Sequence, residues 1–347
     1  MVDKDFCLSS YIALRYIYDD NINFFEGMNH KNYKLLDESE RVEVKTAEEI
    51  DLYIKERVKE LYNKYNNIGI LLSGGMDSAI LSSYLKPGSN AYTFSNLNTD
   101  IYNLDIERSK KYCKKYDLVQ HFINIDFDDY KTYTPIVMER KCSPVHSIEP
   151  QIYKAAIEAK KDGVELMIIG DAADYIFGGM DKLLSKDWTY EGFIKRYISL
   201  DPSLVLENPV NINGVFEPYK KGDSIDYLSF MSGPTTIESY GSYENAFTTA
   251  NLSYCDLYEN FKMKNPLDLK RIRNGQSKYL IRDLYKIKFP EFEIPTKIPM
   301  PRPVDYIFEN WEGPKRHEFK KNILVKKLTG NQKWQLWCAE KFLDNHE

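Results

Sequence analysis

Six consecutive residues, Ser73-Gly74-Gly75-Met76-Asp77-Ser78, set two hydroxyls, two glycines and a carboxylate directly after an apolar run. Glycines carry no Cβ, so main-chain N–H groups there can close on a bound anion. A helix starting just behind them would add a partial positive charge of about half a unit. The chemistry on offer is the grip of a phosphate chain. It differs from the common P-loop, because no Lys-Ser/Thr pair follows the second glycine. A second stretch, Gly170-Asp171-Ala172-Ala173-Asp174-Tyr175-Ile176-Phe177-Gly178-Gly179, also follows an apolar run and carries two carboxylates.

The elements around these stretches explain how they could meet. Ile68-Gly69-Ile70-Leu71-Leu72 reads as a strand, and Ala79, Ile80, Leu81, Tyr84 and Leu85 fall at helical spacing before Pro87-Gly88. Further strands are expected at 91–95, 121–125 and 164–169. Helices are expected at 46–65, 105–118, 128–140 and 151–161. Such alternation predicts an α/β fold, a parallel sheet with helices on both faces. Ligands of such sheets lie beyond the carboxyl ends of the strands, so the glycine loop and Gly170-Asp171 should face one crevice.

Strand signals thin out past about residue 180. Helices are expected at 189–200, 240–262, 277–289, 313–328 and 331–345, and an irregular region at 201–235. Pro290, Pro295, Pro299, Pro301 and Pro303 forbid regular structure between the third and fourth of these helices. Residues 1–65 read as a segment packing on the core, with a helix near 9–17 and a short strand at 33–36. The expected division is 1–65, a nucleotide-binding α/β domain over 66–200, and a mainly helical lobe over 201–347.

Residues 73–78 match the SGGxDS signature of the PP-loop ATP pyrophosphatases. The 168–179 block resembles the SGEGADELFGGY block of asparagine synthetase, and the pair together resembles the C-terminal synthetase domain of that family. The resemblance implies an adenine nucleotide α-hydrolase-like fold, ATP cleaved between its α and β phosphates, and a carboxylate activated as an acyl-adenylate. It places Leu71, Leu72, Ser73, Gly74, Gly75, Asp77, Ser78, Phe94, Ser95, Ile169 and Gly170 around the nucleotide. Asp77 and Asp174 would hold Mg²⁺, an ion that takes one or two carboxylates plus phosphate oxygens and water. Lys278, in Lys278-Tyr279-Leu280-Ile281-Arg282, resembles the family's K-x-x-L-R helix. Lys297 lies where an R-x-K-x-G-F segment carries a catalytic lysine that would neutralise charge on the α-phosphate. Asp171, Lys278 and Lys297 are thus the candidate catalytic residues.

The 11–27 stretch resembles the linker that follows the family's glutaminase domain. Residue 2 is Val and Cys7 is not placed as a nucleophile, so the expectation is a ligase with no glutaminase of its own. Nitrogen would come from ammonia, a separate glutaminase or an amine of the substrate, the last as in β-lactam and carbapenam synthetases. Departures cluster on the acceptor side. Asp171 replaces the family's Glu, Ile169 its Ser, Ala172 its Gly and Tyr175 its second Glu. They put aspartate as substrate in doubt more than they threaten ATP binding.

Composition narrows the alternatives. The 347 residues are 43% hydrophobic and 29% charged with a formal net charge of −5, which does not suggest a nucleic-acid partner. The five cysteines are dispersed without a CxxC pair, which fits a reducing cytoplasm and argues against zinc knuckles and thiolases. No run approaches the roughly 20 apolar residues that span a bilayer. The 170–179 block argues against NAD synthetases. A nucleotide-binding subunit without catalysis is the alternative from another class. His146 as a general base and Glu149 as a ribose or substrate contact are lesser candidates.

Overall fold

The computed structural model describes residues 1–95, 100–300 and 302–347; Pro301 lies outside them. Its centre is a five-stranded parallel sheet of β1 (Ile68–Leu71), β2 (Asn90–Phe94), β3 (Val119–Ile123), β4 (Leu166–Ile169) and β5 (Ser253–Asp256). The spatial order is β3-β2-β1-β4-β5. The chain moves one way from β1 through β2 to β3, then returns to the other side of β1 for β4. The junction of β1 and β4 is therefore the switch point where an open α/β sheet leaves a crevice beyond its strand ends.

Among the helices are α1 (Lys4–Leu14), α2 (Ala47–Tyr62), α3 (Met76–Ser82), α4 (Asp100–Tyr116), α5 (Phe127–Lys141) and α6 (Glu149–Lys161), followed by α7 (Thr236–Thr249), α8 (Tyr279–Lys288) and α9 (Gly330–His346). Successive strand side chains point to opposite faces. Leu166 and Ile168 accordingly join Ile68, Ile70 and the buried faces of α2, α3 and α8. Met167 and Ile169 join the alanines of α6 and Phe247 of α7 on the other face. Both faces are covered, as the near-continuous apolar strands required. The start of α2 shows how local sequence sets an element. Thr46 accepts from Glu49 N at 3.2 Å, and Ile50, Ile54, Val58 and Leu61 then fall on one buried stripe.

The N-terminal segment is built into the core. Tyr11, Ile12 and Cys7 are buried, and the Gln335 amide on α9 donates to Tyr11 O and Ile12 O at 3.2 and 3.0 Å. Burial pushes the Cys7 thiol up to about 12, far from a nucleophile's range. Among the described residues no helix is long and apolar enough to cross a membrane.

Three expected elements differ. The helix expected over 240–262 ends at Thr249, and Ser253–Asp256 pairs with β4 as the sheet's fifth strand. Asn251 at φ +52° turns the chain between them, a conformation that Asn tolerates at helix ends. Residues 33–36 are irregular, and the nearby strand is Val42–Val44, paired with Phe261–Met263. Residues 313–328 contain only a single 3₁₀ turn, Val325–Lys327. Gly313, at φ +111°, lies outside the helical region.

Candidate active site

The glycine loop joins β1 to α3. Ser73 and Ser78 lock it from both ends. The Ser73 N–H donates to Ser78 Oγ at 3.1 Å, the two hydroxyls are 2.9 Å apart, and Gly75 N–H donates to Ser73 Oγ at 3.1 Å. Gly74 is required by space. A Cβ there would lie 2.3 Å from Asp105 Oδ1 and 2.5 Å from Asp105 O. The Asp105 carboxylate accepts the Gly74 N–H, and burial raises its pKa. No side chain caps α3, so its first N–H groups are left to the loop's ligand.

The second loop leaves β4 beside it. Asp256, at the end of β5, fixes its start: Oδ2 accepts Ala172 N–H at 2.8 Å and Oδ1 accepts Tyr258 N–H at 3.0 Å. Tyr258 Oη then donates to Asp77 O at 3.0 Å, tying the two loops together. Sequence reasoning missed Asp256, because a short edge strand gives little local signal and no motif surrounds it.

Between the loops four charged side chains converge. Lys278 Nζ lies 2.6 Å from Asp77 Oδ2 and 2.8 Å from Asp174 Oδ1, and Lys297 Nζ lies 2.9 Å from the same Asp174 oxygen. Lys297 also donates to Gly179 O at 3.0 Å. Burial works against the Lys278 charge, but Asp77 and Asp174 outweigh it and raise its pKa. Burial opposes the Asp174 charge too, yet Lys278 and Lys297 hold its carboxyl below the usual range. Burial raises Asp77. Asp171, half-buried behind them and accepting from Ser239 Oγ at 2.6 Å, is pushed up to about 7 by desolvation, with Asp174 and Glu238 adding to the shift against the Ser239 bond.

The lysines are positioned by different means. Lys278 caps the start of α8 at φ +52°, a left-handed conformation that costs a non-glycine residue about 1 kcal/mol or more. Lys297 rides on the irregular proline segment. Arg108 pins that segment, donating to Thr296 O and Oγ1 at 3.1 Å each.

A single cleft takes in most of the expected site. Leu71, Leu72, Ser73, Gly75, Asp77, Ser78, Phe94, Ile169, Gly170, Asp171, Asp174, Lys278 and Lys297 line it. Gly74 and Ser95 do not; Gly74 packs on Asp105, and Ser95 N–H donates to Ile123 O at 2.9 Å. Tyr92, Asp105, Tyr243, Arg282 and Met300 are among the other wall residues. Leu71, Phe94, Ile169 and Met300 belong to one apolar cluster, a slot suited to a flat ring.

The lesser candidates lie elsewhere. Glu149 is fully buried and saturated by Lys141 at 2.6 Å, His146 N–H at 2.8 Å and Asn245 at 2.6 Å. His146 Nδ1 accepts from Ile148 N–H, and burial lowers its pKa well below the usual value, with Arg302, Arg15 and Lys141 adding to it. Neither lines the cleft.

Sheet, switch-point loops and cation-lined cleft together define a nucleotide-using α/β enzyme of the PP-loop type. The asparagine synthase family model matches residues 49–227, just over half of the chain. The chain belongs to the asparagine synthase family, ATP-dependent ligases. No curated protein matches it. Among solved structures, an NMN synthetase from Francisella tularensis is 10% identical with a TM-score of 0.29, covering 74% of this chain and 100% of that one. An NH3-dependent NAD synthetase from Campylobacter jejuni is 14% identical with a TM-score of 0.26, covering 73% and 96%. Neither likeness is strong enough to assign chemistry.

Proposed function

We propose that the protein forms a carbon–nitrogen bond by activating a carboxylate as an acyl-adenylate, with release of pyrophosphate and then AMP. The observation that carries this reading is the convergence of Lys278 and Lys297 on Asp77 and Asp174 at the mouth of the glycine loop. The triphosphate would lie along residues 73–78, with the base in the slot of Leu71, Phe94, Ile169 and Met300. Lys297 is half exposed, and its Nζ would exchange Asp174 and Gly179 O for an α-phosphate while Arg108 holds the neighbouring Thr296. Positive charge placed there stabilises the charge that grows as the acid oxygen attacks phosphorus. Asp171 would take a proton from the incoming nitrogen, since a carboxyl near 7 suits a base at neutral pH.

The donor set fits magnesium. Asp77 Oδ1 is buried and has no hydrogen-bond partner among the described residues, while its other oxygen is held by Lys278. Asp77 and Asp174 would hold the ion, and bound there it supplies neutralisation of the phosphate chain. An ion held by two carboxylates would arrive with the nucleotide, whose phosphate oxygens and water complete its shell. Ammonia, a separate glutaminase or a substrate amine would deliver the nitrogen, and the setting would be the cytoplasm.

The test is pyrophosphate release from ATP and Mg²⁺ across a panel of acids. Release that depends on one acid, and that Asp77→Asn abolishes, is expected; release of ADP and phosphate instead would contradict the mechanism. One observation favours a second reading, a nucleotide-binding subunit without catalysis: Lys278 already stands between the two carboxylates. Equilibrium ATP binding with no pyrophosphate release from any acid would select it.

A further inference from the structure

A second cavity opens behind Lys297. It shares Lys297 with the nucleotide cleft, so one cation borders both. Its charge balance is lopsided. Arg15, Lys182, Arg196 and Lys297 line it against a single carboxylate, the exposed Asp181. Arg196 and Lys182 make no ion pair among the described residues.

Arg15 has a partner but is not saturated. Its Nη2 lies 3.3 Å from Glu238 Oε2, while its Nε is buried without a hydrogen-bond partner among the described residues. Glu238 must serve more than one cation. Burial lowers the pKa of Arg302, and the nearby Arg15 charge lowers it further, against the pull of Glu238. The backbone also holds Arg15 in place at a cost. It ends α1 at φ +70°, with its N–H bonded to Tyr11 O at 2.7 Å, a place where glycine would serve without strain. A guanidinium kept there with an unsatisfied donor suits a bidentate anion.

We propose that this cavity binds the acid to be activated, and that this acid carries a second anionic group, carboxylate or phosphate, with no ammonium beside it. The reacting carboxylate points to Lys297 and the second anion to Arg15 and Arg196. An ammonium would need a carboxylate of its own; Glu238 is engaged by Arg15, and Asp181 is exposed, where an ion pair with it is worth little. The proposal rests on reading the neighbouring cleft as the adenylating site.

The experiment titrates the non-hydrolysable α,β-methylene ATP first, then succinate, 3-phosphonopropionate, butyrate and aspartate onto the loaded protein by calorimetry. Succinate or 3-phosphonopropionate should bind at least about tenfold tighter than butyrate and aspartate, as one charge-assisted guanidinium contact implies. The tighter of the two identifies the second anion as carboxylate or phosphate. Arg196→Gln, at an exposed position, should reduce that advantage to about threefold or less with the nucleotide affinity unchanged. Arg15→Gln should reduce it further. Absence of nucleotide binding would sink the adenylating reading itself. Nucleotide binding followed by equal or tighter binding of butyrate or aspartate, or an advantage that survives Arg196→Gln, would overturn this inference alone.

Discussion

The nucleotide cleft and the cavity behind Lys297 are neighbours, yet they are built in opposite ways. The cleft's phosphate end comes from consecutive main-chain groups, residues 73–78, clamped by two serines at either end of the same loop. The cavity draws Arg15 from the end of α1, Lys182 and Arg196 from the middle of the chain, and Thr235 from the start of α7. The first construction fixes a ligand by backbone and tolerates little change. The second can exchange side chains without disturbing the sheet. That contrast can be broken or sharpened at single residues.

The largest effect is expected at Lys278. Lys278→Met leaves Asp77 and Asp174 facing each other in a partly buried site without their shared cation. Stability should fall by about 1–3 kcal/mol in urea unfolding, less than for a fully buried pair because both carboxylates are partly exposed and Asp174 keeps Lys297. Mg²⁺ should restore part of that loss. A variant as stable as the parent and indifferent to Mg²⁺ would separate the two carboxylates from any cation role.

Next come the two loop glycines. Gly74→Ala drives a Cβ into Asp105 main-chain and side-chain atoms and should cost about 1–3 kcal/mol together with nucleotide affinity. Gly75→Ala meets only Ser73 Oγ at 3.1 Å and should retain most of that affinity. Equal losses at both positions in a nucleotide titration would deny the close approach of Asp105 its role.

Asp171 carries the pH dependence. Its folded pKa of about 7 lies above the ordinary carboxyl value, so its contribution to stability is present at low pH and is lost as pH rises through about 7. Asp171→Asn should therefore be more stable than the parent at pH 8 and similar at pH 4. The same substitution should abolish turnover, and the parent's rate should rise with pH through about 7. A flat pH–rate profile would remove Asp171 as the base. The smallest effect is expected at Arg108, which touches Thr296 but not the cleft. Arg108→Ala should lower kcat/KM about threefold to tenfold by loosening the Lys297 segment. An unchanged value would mean that other contacts position it.

The same contrast governs what the sequence disclosed. Ile68, Ile70 and Leu72 alternate before a glycine pair, so strand, loop and cleft position follow from local pattern. The 170–179 block is equally local. Asp105, by contrast, is an ordinary acid on a helix until the fold lays it against Gly74. Ser253–Asp256 owes its strand form to pairing with Leu166–Ile169, far away in the chain. Its one local sign was Asn251, a helix-ending residue within the expected helix. The 313–328 stretch carried no such sign, since a proline suits the first turn of a helix, and its charges serve surface pairs such as Arg316 with Glu318. Arg15 could be read only as part of an amphipathic stretch, because nothing near it in sequence lines the cavity.

The central claim is that main-chain amides at the switch point hold a triphosphate with its α-phosphate beside Lys297. A crystal structure with α,β-methylene ATP and Mg²⁺ tests it most directly. The account predicts phosphate oxygens on the uncapped N–H groups of Met76, Asp77 and Ser78, the ion on Asp77 and Asp174, and the base between Leu71, Phe94 and Met300. Nucleotide bound anywhere else, with this loop empty, would contradict it.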